Sequence, residues 1–253
     1  MANIVILNGP FGSRKTDLKN ELIQKITKLQ PELPIFTLED GPILVDQIRD
    51  IAHGTNWSRD SASHQHSWTQ TEHNHLNLLP ESHFPFTVLD KSVSENMFSR
   101  YLDQMRSYQN NPGLLIAELG TGKANKVFGN PDFSTRKFLQ KAAKKNYWGR
   151  LKQHFSSIIA VGAEWESRLK YNPSRPAVAD GISSSWELME SAMRITYESD
   201  FDSWKSQFPP DIIIYYRNLY NGFDENQLNE LTKMILNRNR SLLEGRNSGY
   251  KEI

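Results

Sequence analysis

The residues whose order carries the most chemistry are Gly9-Pro10-Phe11-Gly12-Ser13-Arg14-Lys15-Thr16. They match G-x-x-x-x-G-K-[ST] at every place but one. In such a loop, successive backbone N–H groups wrap phosphate oxygens, and the following helix N-terminus adds favourable partial charge. Lys15 would reach the β/γ-phosphates, and the Thr16 hydroxyl would help to hold Mg²⁺. Arg14 stands where the second glycine belongs. It would either crowd the loop or add a cation to the phosphate site. The plainer alternative is a glycine-rich turn with an exposed Arg-Lys pair.

A second cluster, His64-x-His66 and His73-x-His75, has Asp60 and Glu72 nearby. Metal sites need such pairs held still. The Ser/Gln/Asn-rich surroundings show no periodicity that would do so, which favours a polar insertion. Trp57 and Trp68 could stack on a flat acceptor or anchor the segment.

A phosphate loop must be positioned by a buried strand before it and a helix after it. Ile4-Val5-Ile6-Leu7 is a short apolar run, as in a strand covered on both faces. From Thr16, Leu18, Leu22, Ile23, Ile26 and Leu29 have helical spacing, and Pro31 stops the pattern. Further strands are expected at 34–38, 114–117, 158–161 and 211–215. Helices are expected at 43–51, 94–109, 134–145, 164–169, 185–197 and 224–236. Alternating strands and helices predict an α/β domain with a parallel sheet. Residues 52–82 read as a long, partly helical polar excursion, holding five of the seven histidines, with His83 just beyond. Residues 238–253 read as a frayed polar tail.

Composition narrows the function classes. The 253 residues carry Lys+Arg 30 against Asp+Glu 29, a formal charge of +1, so bulk charge does not hold nucleic acid. Hydrophobic residues are only 38 %, but Phe 12, Tyr 9 and Trp 6 argue against wholesale disorder. The mean hydropathy of −0.61 places a polar excess in particular segments. With no cysteine, disulfides, thiolate nucleophiles and Cys-ligated zinc are excluded. Met1-Ala2-Asn3 has no basic region, and no run approaches the ~18–20 apolar residues of a membrane span. The expectation is a cytoplasmic protein with neither nucleic-acid nor membrane partners.

The loop in its strand–helix setting resembles the P-loop kinase superfamily, on the side of nucleoside, nucleotide and dephospho-coenzyme-A kinases. The resemblance implies a three-layer P-loop NTPase fold: a five-stranded parallel sheet, order 2-3-1-4-5, with helices on both faces. It implies one domain over 1–237, an acceptor-binding insertion at about 52–90 and a lid at about 168–185. ATP and Mg²⁺ would be the cofactors, with Gly9 to Thr16 binding the nucleotide. Glu39 and Asp40, before Gly41-Pro42, resemble the acidic turn that deprotonates an acceptor hydroxyl; a solvated turn is the alternative. Glu118, ending the third strand, would hold Mg²⁺ through water or touch the acceptor. Arg168 and Arg175 resemble lid arginines that neutralise the transferring phosphoryl group, or end an ordinary polar helix. Asn218 resembles the adenine-side loop. After Glu118, Leu119-Gly120-Thr121-Gly122 lacks the arginine signature of many nucleoside kinases. The expected partners are a nucleotide and a small-molecule acceptor, and a homodimer is compatible with the sequence. Two function classes follow: an ATP-dependent phosphotransferase, or a nucleotide-binding regulator in which Arg14 slows turnover.

Overall fold

The Ile4–Leu7 run forms the middle of a sheet because both of its faces are covered. The computed structural model describes residues 2–10, 12–43, 58–59, 66–67, 76–78, 86–88, 92–108, 110–121, 135–144, 155–171, 213–217 and 222–247. The first strand, β1 (Ala2–Gly9), is followed by helix α1 (Lys15–Leu29) and strand β2 (Ile35–Leu38). Two short antiparallel pairs come next, β3 (Ser58–Arg59) with β4 (His66–Ser67), and β5 (Leu76–Leu78) with β6 (Phe86–Val88). Then come α2 (Ser92–Ser107), β7 (Gly113–Gly120), α3 (Thr135–Lys144), β8 (Phe155–Gly162), α4 (Trp165–Tyr171), β9 (Ile213–Arg217) and α5 (Glu225–Asn247).

The main sheet has the order β2-β7-β1-β8-β9. Every neighbouring pair in it is parallel. Side chains alternate between the faces along each strand. Val5 and Leu7 pack with Leu18, Leu22 and Ile26 of α1 and with Leu228, Leu231 and Ile235 of α5. Ile4 and Ile6 pack on the other side with Met97, Phe98, Tyr101 and Leu102 of α2 and Phe138 of α3. Each fully buried side chain of this size contributes about 1.5–3 kcal/mol. The parallel α/β arrangement read from the apolar runs is present.

Three expectations change. The described pieces of the polar excursion are strand, not helix. The last helix does not stop near Leu236 but continues to Asn247, across the segment read as a frayed tail. Its extension is anchored, because Asn239 is buried and accepts a hydrogen bond from the Asn3 side chain. The last sheet strand runs over Ile213–Arg217, two residues beyond the expected span. Of the expected helix at 43–51 only Ile43 is described, within a helical turn that begins at Asp40. The expected helix at 185–197 lies outside the described residues.

Candidate phosphate-binding site

The site lies where β1 and β7 end together. Their register sets Leu7 beside Glu118 and Gly9 beside Gly120, bringing the loop next to the carboxylate. Two contacts pin the junction. The Thr121 N–H donates to the Gly9 carbonyl at 3.1 Å, and the Thr121 hydroxyl donates to Asn8 Oδ1 at 2.6 Å.

Both true glycines of the loop are required by space. A Cβ on Gly9 would lie 2.1 Å from the Val161 carbonyl oxygen. Gly12 has φ 77°, and a Cβ there would lie 3.2 Å from the Arg168 Cβ. The loop therefore runs tightly over β8 and against α4.

Arg14 takes the left-handed conformation, φ 60° and ψ 36°, that a glycine adopts without cost. For an L-residue the region costs about 1–2 kcal/mol. Arg14 is also the residue before α1 and supplies no side-chain cap. Its Nε donates to Asp17 Oδ2 at 2.9 Å, and its guanidinium lies 5.0 Å from the centre of the Phe223 ring. The backbone thus carries the strain expected of the missing glycine. The contacts made by the side chain follow the first turn of α1 and the approach to α5.

Lys15 folds over the loop, its ammonium donating to the carbonyls of Gly9 at 3.0 Å and Pro10 at 3.1 Å. The Pro10 carbonyl also accepts from the Ser13 N–H at 3.3 Å. The Thr16 hydroxyl donates to Glu118 Oε2 at 2.8 Å. Lys19 lies one turn further along α1 and pairs with Glu118 Oε1 at 2.6 Å and with Glu39. Asp40 Oδ2 accepts the Gly120 N–H at 2.5 Å. Under this layer, the Tyr101 hydroxyl donates to the Glu118 carbonyl at 2.6 Å and supports the end of β7.

The electrostatics follow from crowding. Burial pushes the Asp40 carboxyl up to about 6, and the Glu118 charge adds to the rise. The Lys15 charge and the Gly120 N–H oppose it. Burial pulls Lys19 down, but Glu118 and Glu39 outweigh that, so its ammonium is held above the usual lysine value. Burial, with the charges of Asp40 and Glu118, keeps the Tyr101 phenol protonated.

Gly9, Pro10, Gly12, Ser13, Arg14, Lys15, Thr16, Glu39, Asp40 and Glu118 are all brought to this one corner. Arg168 is next to it. It is fully buried in α4, its guanidinium 5.0 Å from the centre of the Trp165 ring. Of the expected lid at about 168–185 only residues 168–171 are described, as the end of a helix packed against Gly12. Phe11, Arg175 and Asn218 lie outside the described residues. Of the histidine cluster only His66 is described, in β4.

The residue types fit the groups that the motif implies. Gly9, Pro10, Gly12 and Ser13 are buried in this arrangement, and Lys15 lies across the loop where it would meet phosphate oxygens. Thr16 and Glu118, already in contact, suit Mg²⁺, which takes one or two protein oxygens and keeps phosphates and waters for the rest. Among the described residues no three His, Asp or Glu side chains converge as a metal cage.

Sequence reasoning missed Lys19, Asn8, Thr121 and Tyr101. Lys19 had a signal. It shares the face of α1 that carries Lys15, Leu22 and Ile26, so a charge was being turned toward the sheet.

No family model matches the chain, and no curated protein matches it. Two solved structures align along most of its length. A sugar kinase from a Janibacter species is 10% identical, with 96% of this chain and 98% of that chain covered, at a TM-score of 0.44. A Thermus thermophilus protein is 12% identical, with 93% and 97% covered, at a TM-score of 0.41. Likeness at this level carries no argument about activity. Among the described residues no helix is long and apolar enough to cross a membrane.

Proposed function

We propose that the chain is an ATP-dependent phosphotransferase of the P-loop kinase type, with a three-layer P-loop fold, acting on a small-molecule acceptor such as a nucleoside, nucleotide or related metabolite. The observation that carries this reading is the Thr16–Glu118 hydrogen bond at 2.8 Å, beside a glycine-walled loop that opens a helix. It unites in space the two oxygen groups that Mg²⁺-dependent phosphoryl transfer needs near the β/γ-phosphates.

Lys15 would exchange its two carbonyl partners for phosphate oxygens and offset the charge on the transferring group. Asp40, held by the Gly120 N–H, would accept the proton of the acceptor hydroxyl. Its pKa of about 6 leaves it ionised near neutrality yet more basic than an ordinary aspartate. The acceptor oxygen forms a bond to the γ-phosphorus, the bond from that phosphorus to the bridging oxygen breaks, and ADP leaves. Mg²⁺, when bound with Thr16 and Glu118, would draw charge from the β- and γ-oxygens.

The test is a thermal shift with Mg²⁺·ATP, ADP and GTP on the wild type and Lys15→Ala. Wild type is expected to shift and Lys15→Ala to lose most of the shift. No shift with any nucleotide sinks the reading. The left-handed Arg14 favours a second reading, a nucleotide-binding regulator with little turnover. Nucleotide binding without ADP release across a panel of hydroxyl acceptors would select it.

A further inference from the structure

Lys19 has no part in the chemistry just described, yet it is only 4 % exposed and touches Glu118, which that chemistry uses, and the neighbouring Glu39. A buried lysine is costly. Its stem gives up rotamer entropy, and its ammonium must be taken out of water. A leucine would fill this face of α1 without either cost.

Its partners suggest what the charge does. Glu118 Oε1 takes the Lys19 ammonium at 2.6 Å, and Glu118 Oε2 takes the Thr16 hydroxyl at 2.8 Å. Oε2 is therefore held by a hydrogen bond, and Oε1 faces the ammonium as an ion pair. A divalent ion that approaches Glu118 directly meets a fixed positive charge already seated there. In a poorly solvated site that repulsion is strong.

We propose that Lys19 is a positioning residue acting as a built-in cation on Glu118: it holds the carboxylate beside Thr16 and Glu39 and weakens the bare site's affinity for a divalent ion. The inference rests on the phosphotransfer reading for where the ion goes. Its consequence is an order of events. The ion enters as a complex with the nucleotide, whose phosphates supply ligands and negative charge before Glu118 and Thr16 are reached, and does not enter the empty loop first.

The test uses nucleotide-free full-length protein and Mn²⁺, followed by the electron paramagnetic resonance signal of the free ion. Lys19→Met is expected to bind Mn²⁺ about tenfold more tightly than wild type, or more. Adding Glu118→Gln to Lys19→Met is expected to remove the gain. Lys19→Arg, which keeps the charge, is expected to stay near wild type. If Lys19→Met does not unfold cooperatively in urea, Lys19→Gln is read in its place, since it loses the charge but keeps a donor. A folded variant of either kind that binds Mn²⁺ no more tightly than wild type overturns the proposal. So does a gain that survives Glu118→Gln. No nucleotide enters this experiment, so a failed ATP thermal shift refutes the phosphotransfer reading separately.

Discussion

Arg14 offers a measurement of backbone strain with its own control. Two variants remove the same contacts and differ only in their tolerance of the left-handed backbone. Arg14→Ala loses the ion pair with Asp17 and the contact with Phe223, and keeps a Cβ at φ 60°. The ion pair has side chains 19% and 33% exposed, so it contributes about 0.2–1 kcal/mol. The cation–π contact adds about 0.5–1 kcal/mol. Arg14→Ala should therefore lower stability by about 1–2 kcal/mol. Arg14→Gly loses the same contacts but releases about 1–2 kcal/mol of left-handed strain. Part of that release is offset by the greater freedom of glycine in the unfolded chain. Arg14→Gly should thus lie within about 1 kcal/mol of wild type and clearly above Arg14→Ala. The assay is urea unfolding with linear extrapolation, comparing midpoints at matched slopes. If Arg14→Ala proves as stable as Arg14→Gly, the strain argument is wrong.

Other outcomes follow from single contacts. Gly9→Ala drives a Cβ into the Val161 backbone and is expected to cost more than about 3 kcal/mol or prevent folding, which circular dichroism melts would show. A Cβ on Gly120 would lie 2.9 Å from Asp40 Oδ2, a side-chain end and not backbone, so Gly120→Ala should change stability by less than about 1 kcal/mol while displacing Asp40 and lowering turnover about tenfold, read as kcat. Asp40 has a folded pKa raised to about 6, above the ordinary value near 4, so the folded chain holds that proton more tightly than the unfolded one. Its contribution is fully present below about pH 4 and is lost as pH rises to about 6, an effect of about 1–3 kcal/mol. Urea midpoints at low and neutral pH should show Asp40→Asn lacking that decline, and a wild-type stability that rises through the same window because of Asp40 would refute the assignment. Asn239→Ala removes a buried partner of Asn3 and should cost about 1–2 kcal/mol in the same assay.

Much of this architecture was written in local patterns. Ile4–Leu7, Leu114–Ala117 and Ile158–Val161 are uninterrupted apolar runs, and such runs are stable only with both faces covered. The loop was legible because its spacing and its strand–helix setting agree. What lay beyond local pattern was partnership. Glu118 could be placed at a strand end from sequence, but its pairing with Thr16 and Lys19 depends on the β1–β7 register. Arg168 read as a lid arginine or the end of an ordinary polar helix because Glu166, Ser167 and Lys170 lie beside it in sequence. Its burial comes from the contact of α4 with Gly12, which no helical periodicity over seven residues encodes. The length of α5 was missed for the reverse reason. Its last turns are polar, and a buried Asn–Asn contact with β1 replaces the apolar stripe that marks a helix.

The placement of β7 between β1 and β2 has a consequence for how the protein comes into being. Thr16 and Glu118 are separated by 102 positions in the chain. During synthesis the loop emerges early, while the strand that completes its corner is still to be made. Until it arrives, β1 and β2 leave between them a gap one strand wide, bordered by backbone that has not yet found its hydrogen bonds. Closing that gap is a non-local event and sets a slow step in assembly. A ribosome-bound fragment ending before residue 113 is therefore expected to be a client for chaperones rather than a nucleotide binder.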